Sequence, residues 1–215
     1  MNLQTVQLQF NRAQIYLLFY KPTSDDPLQN KIVAHFDGPF CHVELAFPNK
    51  CGEEPWERTV YGSSIYQDES VFFKPKTYKR DGYVSYAIEV STAQYHKIKS
   101  YCRDQMQRKV GFSKLAMYAS YLPFQIYYKS NGTFCSKHCT SALQHAGVEL
   151  VANLNPNLTT PSRLYRYLMK SAPITQVVPA KLNIQNIKNC STNLIFHIIE
   201  KNKNNTITLS PVNTS

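Results

Sequence analysis

Along the first ninety residues, apolar positions alternate with polar ones or run unbroken for a few residues, and the elements they predict are strands. Weak alternation at Val6, Leu8 and Phe10 suggests a leading strand over residues 1–13. Gln14-Ile15-Tyr16-Leu17-Leu18-Phe19-Tyr20 is a short apolar run, rich in aromatics, that stops at Lys21-Pro22, as a buried strand does. Residues 21–31 contain two prolines and two aspartates, so a loop is expected there. Phe36 to Phe47 reads as a turn followed by a strand. Strand side chains alternate between faces, so Cys41, Val43 and Leu45 share one face while His42, Glu44 and Ala46 share the other. Residues 48–56 read as a loop holding Cys51 and Trp56. Further short strands are expected at 58–61, 64–66, 70–73 and 83–90. Strands in succession without helices between them imply an antiparallel meander.

At Ser91 the period changes. Gln94 follows three residues later, the signature of a capping box. Tyr95, Ile98, Tyr101, Cys102 and Met106 then keep helical spacing with basic residues between them, and Gly111 closes the pattern. Such a helix is expected to pack on the sheet and keep its basic face in water. Residues 115–128 are apolar and aromatic, too short to span a membrane and interrupted by Pro123, so they are expected in the core. A second helix is expected between Thr133 and Gly147. Thr133 suits the N-cap and Gly147 the left-handed position past the end, with Cys139, Leu143 and Ala146 near one apolar face. Asn155-Pro156-Asn157 marks a turn, and Thr160-Pro161 opens a short helix carrying Leu164, Tyr167 and Leu168. Beyond Pro173 only weak strand-like runs remain, with asparagine and lysine between them. The fold class expected is α+β, an antiparallel sheet with helices. One domain would span 1–173, with a C-terminal extension at 174–215 that is partly strand and ends in disorder.

Composition narrows the function. The chain has 215 residues, 43% of them hydrophobic, which is enough for a core. A net charge of +10 suits nucleic acid, anionic lipid or an acidic substrate. The basic residues are scattered, however, and no arginine–glycine or zinc-finger pattern appears. A solvated basic surface is therefore expected, nucleic acid is set aside as a partner, and an anionic membrane surface is kept. The cysteines are Cys41, Cys51, Cys102, Cys135, Cys139 and Cys190. The first residues lack the charged and apolar regions of a signal peptide, and a chain of this size needs no disulfide staples. The thiols are accordingly expected reduced and the protein intracellular, in the cytoplasm. Five Asn-x-Ser/Thr sequons, starting at Asn131, Asn157, Asn189, Asn204 and Asn213, are what this much asparagine produces by chance.

Candidate chemistry centres on Cys135, in the first turn past the expected helix cap. Free amides and the helix dipole favour an anion there, as a thiolate nucleophile needs. A small buried hydrophobe is what most free cysteines are, and the helix alone does not separate the two roles. Thiol catalysis also requires a base and a group that orients it. His42 is the candidate base, and Glu44, on the same strand face, is the candidate orienting group, although a neighbouring strand can supply a polar residue instead. A zinc site built from Cys135, His138 and Cys139 with Cys41 and His42 is the competing arrangement. Its spacing lacks the usual Cys-x2-4-Cys loop, so neither metal nor cofactor is expected. Cys139 and Cys41 are expected to be core residues.

Four stretches carry a family resemblance: Cys-His-Val-Glu-Leu at 41–45, Gly-Ser-Ser-Ile at 62–65, Phe134 to Gly147, and Thr-Thr-Pro-Ser-Arg-Leu at 159–164. In this order they resemble the circularly permuted papain-like branch of the NlpC/P60 superfamily, which includes a poxvirus group, bacterial YiiX-like proteins and, more distantly, lecithin:retinol acyltransferase-like enzymes. In that branch the histidine strand precedes the cysteine helix, the reverse of papain, and His42 and Cys135 follow that order. The resemblance runs from residue 14 to residue 170. It implies a permuted papain-like fold with the catalytic cysteine at a helix N-terminus. It also implies a thiol-dependent hydrolase or acyltransferase that attacks an amide, ester or thioester carbonyl and forms an acyl-enzyme. The substrate would be a peptide, an amide or a lipid-acyl group, and residues 115–128 would wall an apolar groove. The poxvirus likeness and the Asn/Lys/Tyr-rich composition point to a large DNA virus of eukaryotes, hence to host cytoplasm or virion. The alternative is an inactive interaction module that keeps the fold and binds a host or virion partner.

Overall fold

A computed structural model describes residues 12–49, 52–121 and 131–171. The expectations for residues 1–11, for Cys51 and Cys190, for Pro123 and its neighbours, and for the extension at 174–215 lie outside the described residues.

The protein is α+β, with an antiparallel five-stranded sheet in the order β4-β3-β2-β1-β5. Its middle is β1 (Arg12–Tyr20), where Gln14 to Phe19 are all buried. Both faces of this strand are covered, which is why its sequence reads as an unbroken run and not as alternation. Ile15, Leu17 and Phe19 pack with Val43, Leu45 and Phe47 of β2 (His42–Phe47) beneath the helices. Tyr16, Leu18 and Ala46 pack on the opposite face with Val60 and Tyr78. The register pairs Tyr20 with His42 and Leu17 with Leu45.

The predicted meander holds for four strands only. β3 (Val60–Ser64) and β4 (Phe72–Lys76) continue it, whereas β5 (Tyr83–Ser91) crosses to the free edge of β1. A strand buried on both faces needs a neighbour on each side for its backbone amides and carbonyls, and β5 is that second neighbour. The separate strands expected at 58–61 and 64–66 are one strand, β3. Pro75 sits in β4, an edge strand, where its missing amide proton is tolerated.

Two helices escaped the sequence reading, and the first, α1 (Leu28–Asp37), occupies part of the expected loop and turn. Pro22 and Pro27 both precede it, and Pro27 is its N-cap. Gly38, at φ +123°, ends it. Leu28, Ile32 and Phe36 recur at helical spacing but face solvent, and the prolines and aspartates at 22–27 made the stretch read as a loop. α2 (Thr92–Gln107) begins with the predicted capping box, Gln94 N to Ser91 Oγ at 3.1 Å and Ser91 N to Gln94 Oε1 at 3.0 Å. It stops before Gly111, with Lys109 at φ +51°. In the short α3 (Lys114–Ala119), Ala116 is buried, as is Ser120 after it, but Leu115 and Tyr118 are exposed, so the core expectation for residues 115–128 holds only in part where they are described. α4 (Cys135–His145) and α5 (Pro161–Ser171) complete the helical layer. The Thr160 hydroxyl accepts from Arg163 N at 3.2 Å and caps α5, and Leu164 and Leu168 are buried as predicted. Among the described residues, no helix is long and apolar enough to cross a membrane.

Candidate active site

The start of α4 is held by backbone pairing. Ser113 N donates to Thr133 O at 2.8 Å and Thr133 N donates to Gly111 O at 3.0 Å. A Cβ on Gly132 would lie 2.8 Å from Gly111 O, so only glycine permits this approach. Thr133 is not the N-cap, contrary to expectation. The cap is Phe134, in extended conformation and without a side-chain bond, and the Thr133 hydroxyl donates to Phe134 O. Cys135 is thus the first residue of the helix. Its amide belongs to the first turn, whose N–H groups have no acceptor within the helix. At the other end Gly147 takes φ +73°, as predicted. Gly147 N to Gln144 O at 2.9 Å and Val148 N to Leu143 O at 3.0 Å form a Schellman motif. Cys139, Ala142, Leu143 and Ala146 face the sheet, and Cys139 Sγ approaches Val43 O at 3.7 Å.

His42 opens β2, and its side chain remains 15% exposed. His42, Cys135 and Cys41 line one cavity of about 350 Å³, with Tyr20, Tyr66, Tyr83, Phe112 and Met117 among its other walls. The sequence-predicted base and nucleophile therefore meet across the gap between β2 and α4. His42 Nε2 lies 3.2 Å from Glu44 Oε1, so the third predicted residue joins them. Burial disfavours the charged imidazolium. The hydrogen bond and charge of Cys135, and then those of Glu44, outweigh it and raise the His42 pKa to about 9.

Glu44 has no solvent exposure and is held from four sides. Besides His42, it accepts from Tyr66 OH at 2.7 Å, from Lys76 Nζ at 2.7 and 2.9 Å, and from Tyr78 OH at 2.8 Å. Burial pushes its pKa up, but the hydrogen bond and charge of His42, followed by Lys76, prevail and bring it down to about 2. Gly62 makes room for this arrangement, since a Cβ there would collide with the Tyr78 hydroxyl. Residues at or just past the ends of β3 and β4 thus add to Glu44 and do not replace it. Sequence reading passed over Tyr66, Lys76 and Tyr78. The available signal was Glu44 itself, because a carboxylate on a buried apolar strand requires a cation or several donors.

His138 stands apart from the pair. Its Nε2 lies 2.9 Å from Ser63 Oγ, which in turn donates to Phe72 O at 2.9 Å, so His138 is the donor to Ser63. Its Nδ1 is buried without a partner, and burial pushes the pKa down to about 4. Cys139 lies in the core as expected. Cys41 is buried as expected and also lines the cavity, and burial, then the charge of Cys135, push its thiol up to about 12. Among the described residues no group of three or more His, Cys, Asp or Glu is placed to hold a metal ion. Comparison with known proteins leaves these residues to speak for themselves: no family model matches the chain, and no curated protein or solved structure matches it.

Proposed function

We propose that the protein is a thiol-dependent hydrolase or acyltransferase with a permuted papain-like fold of the NlpC/P60 type. One observation carries this reading: a cysteine at the first residue of a helix and a histidine already bound to a carboxylate line the same cavity. His42 takes the proton of Cys135 Sγ. The sulfur attacks the carbonyl carbon of an amide, ester or thioester and forms a C–S bond. The oxyanion meets the unpaired amides at the start of α4. Collapse breaks the bond to the leaving nitrogen, oxygen or sulfur, which receives the proton from His42. Water or a second nucleophile, deprotonated by His42, then releases the acyl group from Cys135. Glu44 engages Nε2, which leaves Nδ1 to serve the thiol, and its charge stabilises the imidazolium.

The walls of the cavity suit an acyl group of a peptide, an amide or a lipid, with Tyr20, Tyr83, Phe112 and Met117 supplying apolar surface. Free thiols at Cys41, Cys102, Cys135 and Cys139 accord with a reducing, intracellular setting.

The test is iodoacetamide alkylation of the full chain at neutral pH, with the labelled residue located by mass spectrometry. Cys135 is expected to be the main site. His42→Ala is expected to slow its labelling about a hundredfold, the lower end of what a positioned base contributes, while the circular dichroism spectrum stays unchanged. Equal rates in both proteins would remove the catalytic reading and leave the fold as a binding scaffold.

A further inference from the structure

The His42 imidazole does not stand free in the cavity wall. The Tyr66 ring lies along it, with centroids 5.0 Å apart and planes 21° from parallel. Phe72 of β4 stacks on Tyr66 in turn, at 5.2 Å and 21°. The Tyr66 hydroxyl donates to Glu44 Oε1 at 2.7 Å, the same oxygen that His42 Nε2 reaches. Lys76 Nζ lies 2.7 Å from that hydroxyl. An ammonium only donates, so the hydroxyl accepts from Lys76 and turns its own proton to Glu44. Tyr66 follows the last residue of β3 by two positions and stands half-buried on the cavity wall, outside both core clusters. Filling space there would need no hydroxyl, and Phe would serve.

We propose that Tyr66 is the positioning residue of this site, its ring fixing the plane of the His42 imidazole and its hydroxyl fixing the Glu44 oxygen that the imidazole binds. The inference rests on the Cys135–His42–Glu44 reading and extends it to a residue that does not touch the reacting atoms. The two parts of the side chain act separately. Tyr66→Phe keeps the stack and removes one donor from Oε1. The carboxylate then binds His42 more strongly, so the imidazole titrates at higher pH than in the wild type. Tyr66→Leu removes both. The imidazole is then free to rotate, and its Nδ1 is no longer held toward Cys135.

The experiment uses the full chain as wild type, Tyr66→Phe, Tyr66→Leu and His42→Ala. Two quantities are read: the iodoacetamide rate at Cys135, and the pH titration of the His42 ring nitrogens by NMR. Tyr66→Leu is expected to lose about tenfold in rate, within what a small misplacement of a catalytic group costs, and to titrate His42 at lower pH. Tyr66→Phe is expected to keep the rate within about threefold, since the stack that sets the geometry survives, and to titrate His42 at higher pH. A folded Tyr66→Leu with the wild-type rate and the wild-type titration would overturn the proposal. Should that variant not fold, an unmoved titration in Tyr66→Phe would overturn it. A residue that only supports the fold would change the melting temperature and leave both curves in place. Failure of the underlying reading has a different signature, a wild-type alkylation rate that His42→Ala does not change.

Discussion

At the scale of single residues the site is an exercise in keeping a carboxylate charged without water. Glu44 is fully buried, and Lys76, itself 17% exposed, is its cation at 2.7 Å. Removing one partner of such a pair leaves the other charge stranded, whereas replacing both with neutral groups of similar shape is tolerated. Glu44→Gln is therefore expected to cost about 3 kcal/mol in urea unfolding, the lower end for a buried pair because Lys76 keeps some solvent contact. It also removes two of the influences that hold the His42 pKa near 9, so the imidazole titrates lower and Cys135 alkylation slows. The double variant Glu44→Gln/Lys76→Met is expected to regain most of the stability and none of the alkylation rate. Recovery of both would make Glu44 a structural anchor only. His42, Glu44 and Cys135 were legible in the sequence because strand alternation and helix spacing place each by local rules. Tyr66, Lys76 and Tyr78 were not, because their meeting at Glu44 depends on the β2–β3 and β3–β4 registers, which no local pattern encodes.

At the scale of elements, the strands were legible where burial on one or both faces wrote a pattern, and α2 was legible from its capping box. α1 was not, since the prolines and aspartates at 22–27 signal a loop that outweighs the helical spacing of Leu28, Ile32 and Phe36, none of which is buried. The start of α4 shows a subtler failure. Thr133 has the right chemistry for a cap, but its backbone is committed to pairing with residues 111–113, and the helix begins two residues later. The position of Cys135 is thus set by a backbone contact between Thr133 and Gly111, 22 residues apart in sequence, whose closeness Gly132 permits. Gly132→Ala forces a methyl within 2.8 Å of Gly111 O and 2.9 Å of Ser113 Cβ. The expected result is a loss of about 1–3 kcal/mol by urea unfolding, as for other overpacked sites, together with slower alkylation of Cys135. Gly52→Ala, where a Cβ meets nothing within 4 Å although φ is +83°, is the companion control. It carries a backbone strain that Gly132→Ala lacks and no collision, and is expected to destabilise the chain without slowing Cys135.

At the scale of the whole molecule, the helical layer is pinned to the sheet by polar contacts as well as by packing, and His138 is the contact whose charge state matters. It reaches from α4 to Ser63 of β3, and Ser63 reaches on to Phe72 of β4, so three elements meet at one neutral imidazole. Burial holds its folded pKa near 4, below the ordinary histidine value of 6.5. Between those two values the unfolded chain binds a proton that the folded chain refuses, so stability falls as pH falls. A difference of this size amounts to about 3 kcal/mol across the full window, at about 1.4 kcal/mol per pH unit. Glu44 acts lower: its folded pKa, near 2, lies below its ordinary 4.5, so its contribution is complete above 4.5 and is lost only as pH drops toward 2. The interval from pH 6.5 to 5 therefore isolates His138 from Glu44. Urea midpoints of the wild type are expected to decline through that interval. His138→Gln, which keeps an amide donor for Ser63 and has no proton to gain, is expected to show a flatter profile there. Parallel profiles in the two proteins would mean that the imidazole finds a partner for its proton on charging, and that α4 shifts on the sheet to accommodate it. Because His138 lies only one turn along α4 from Cys135, the alkylation rate over the same interval would then change in step with the midpoint, and in the arrangement described here it does not.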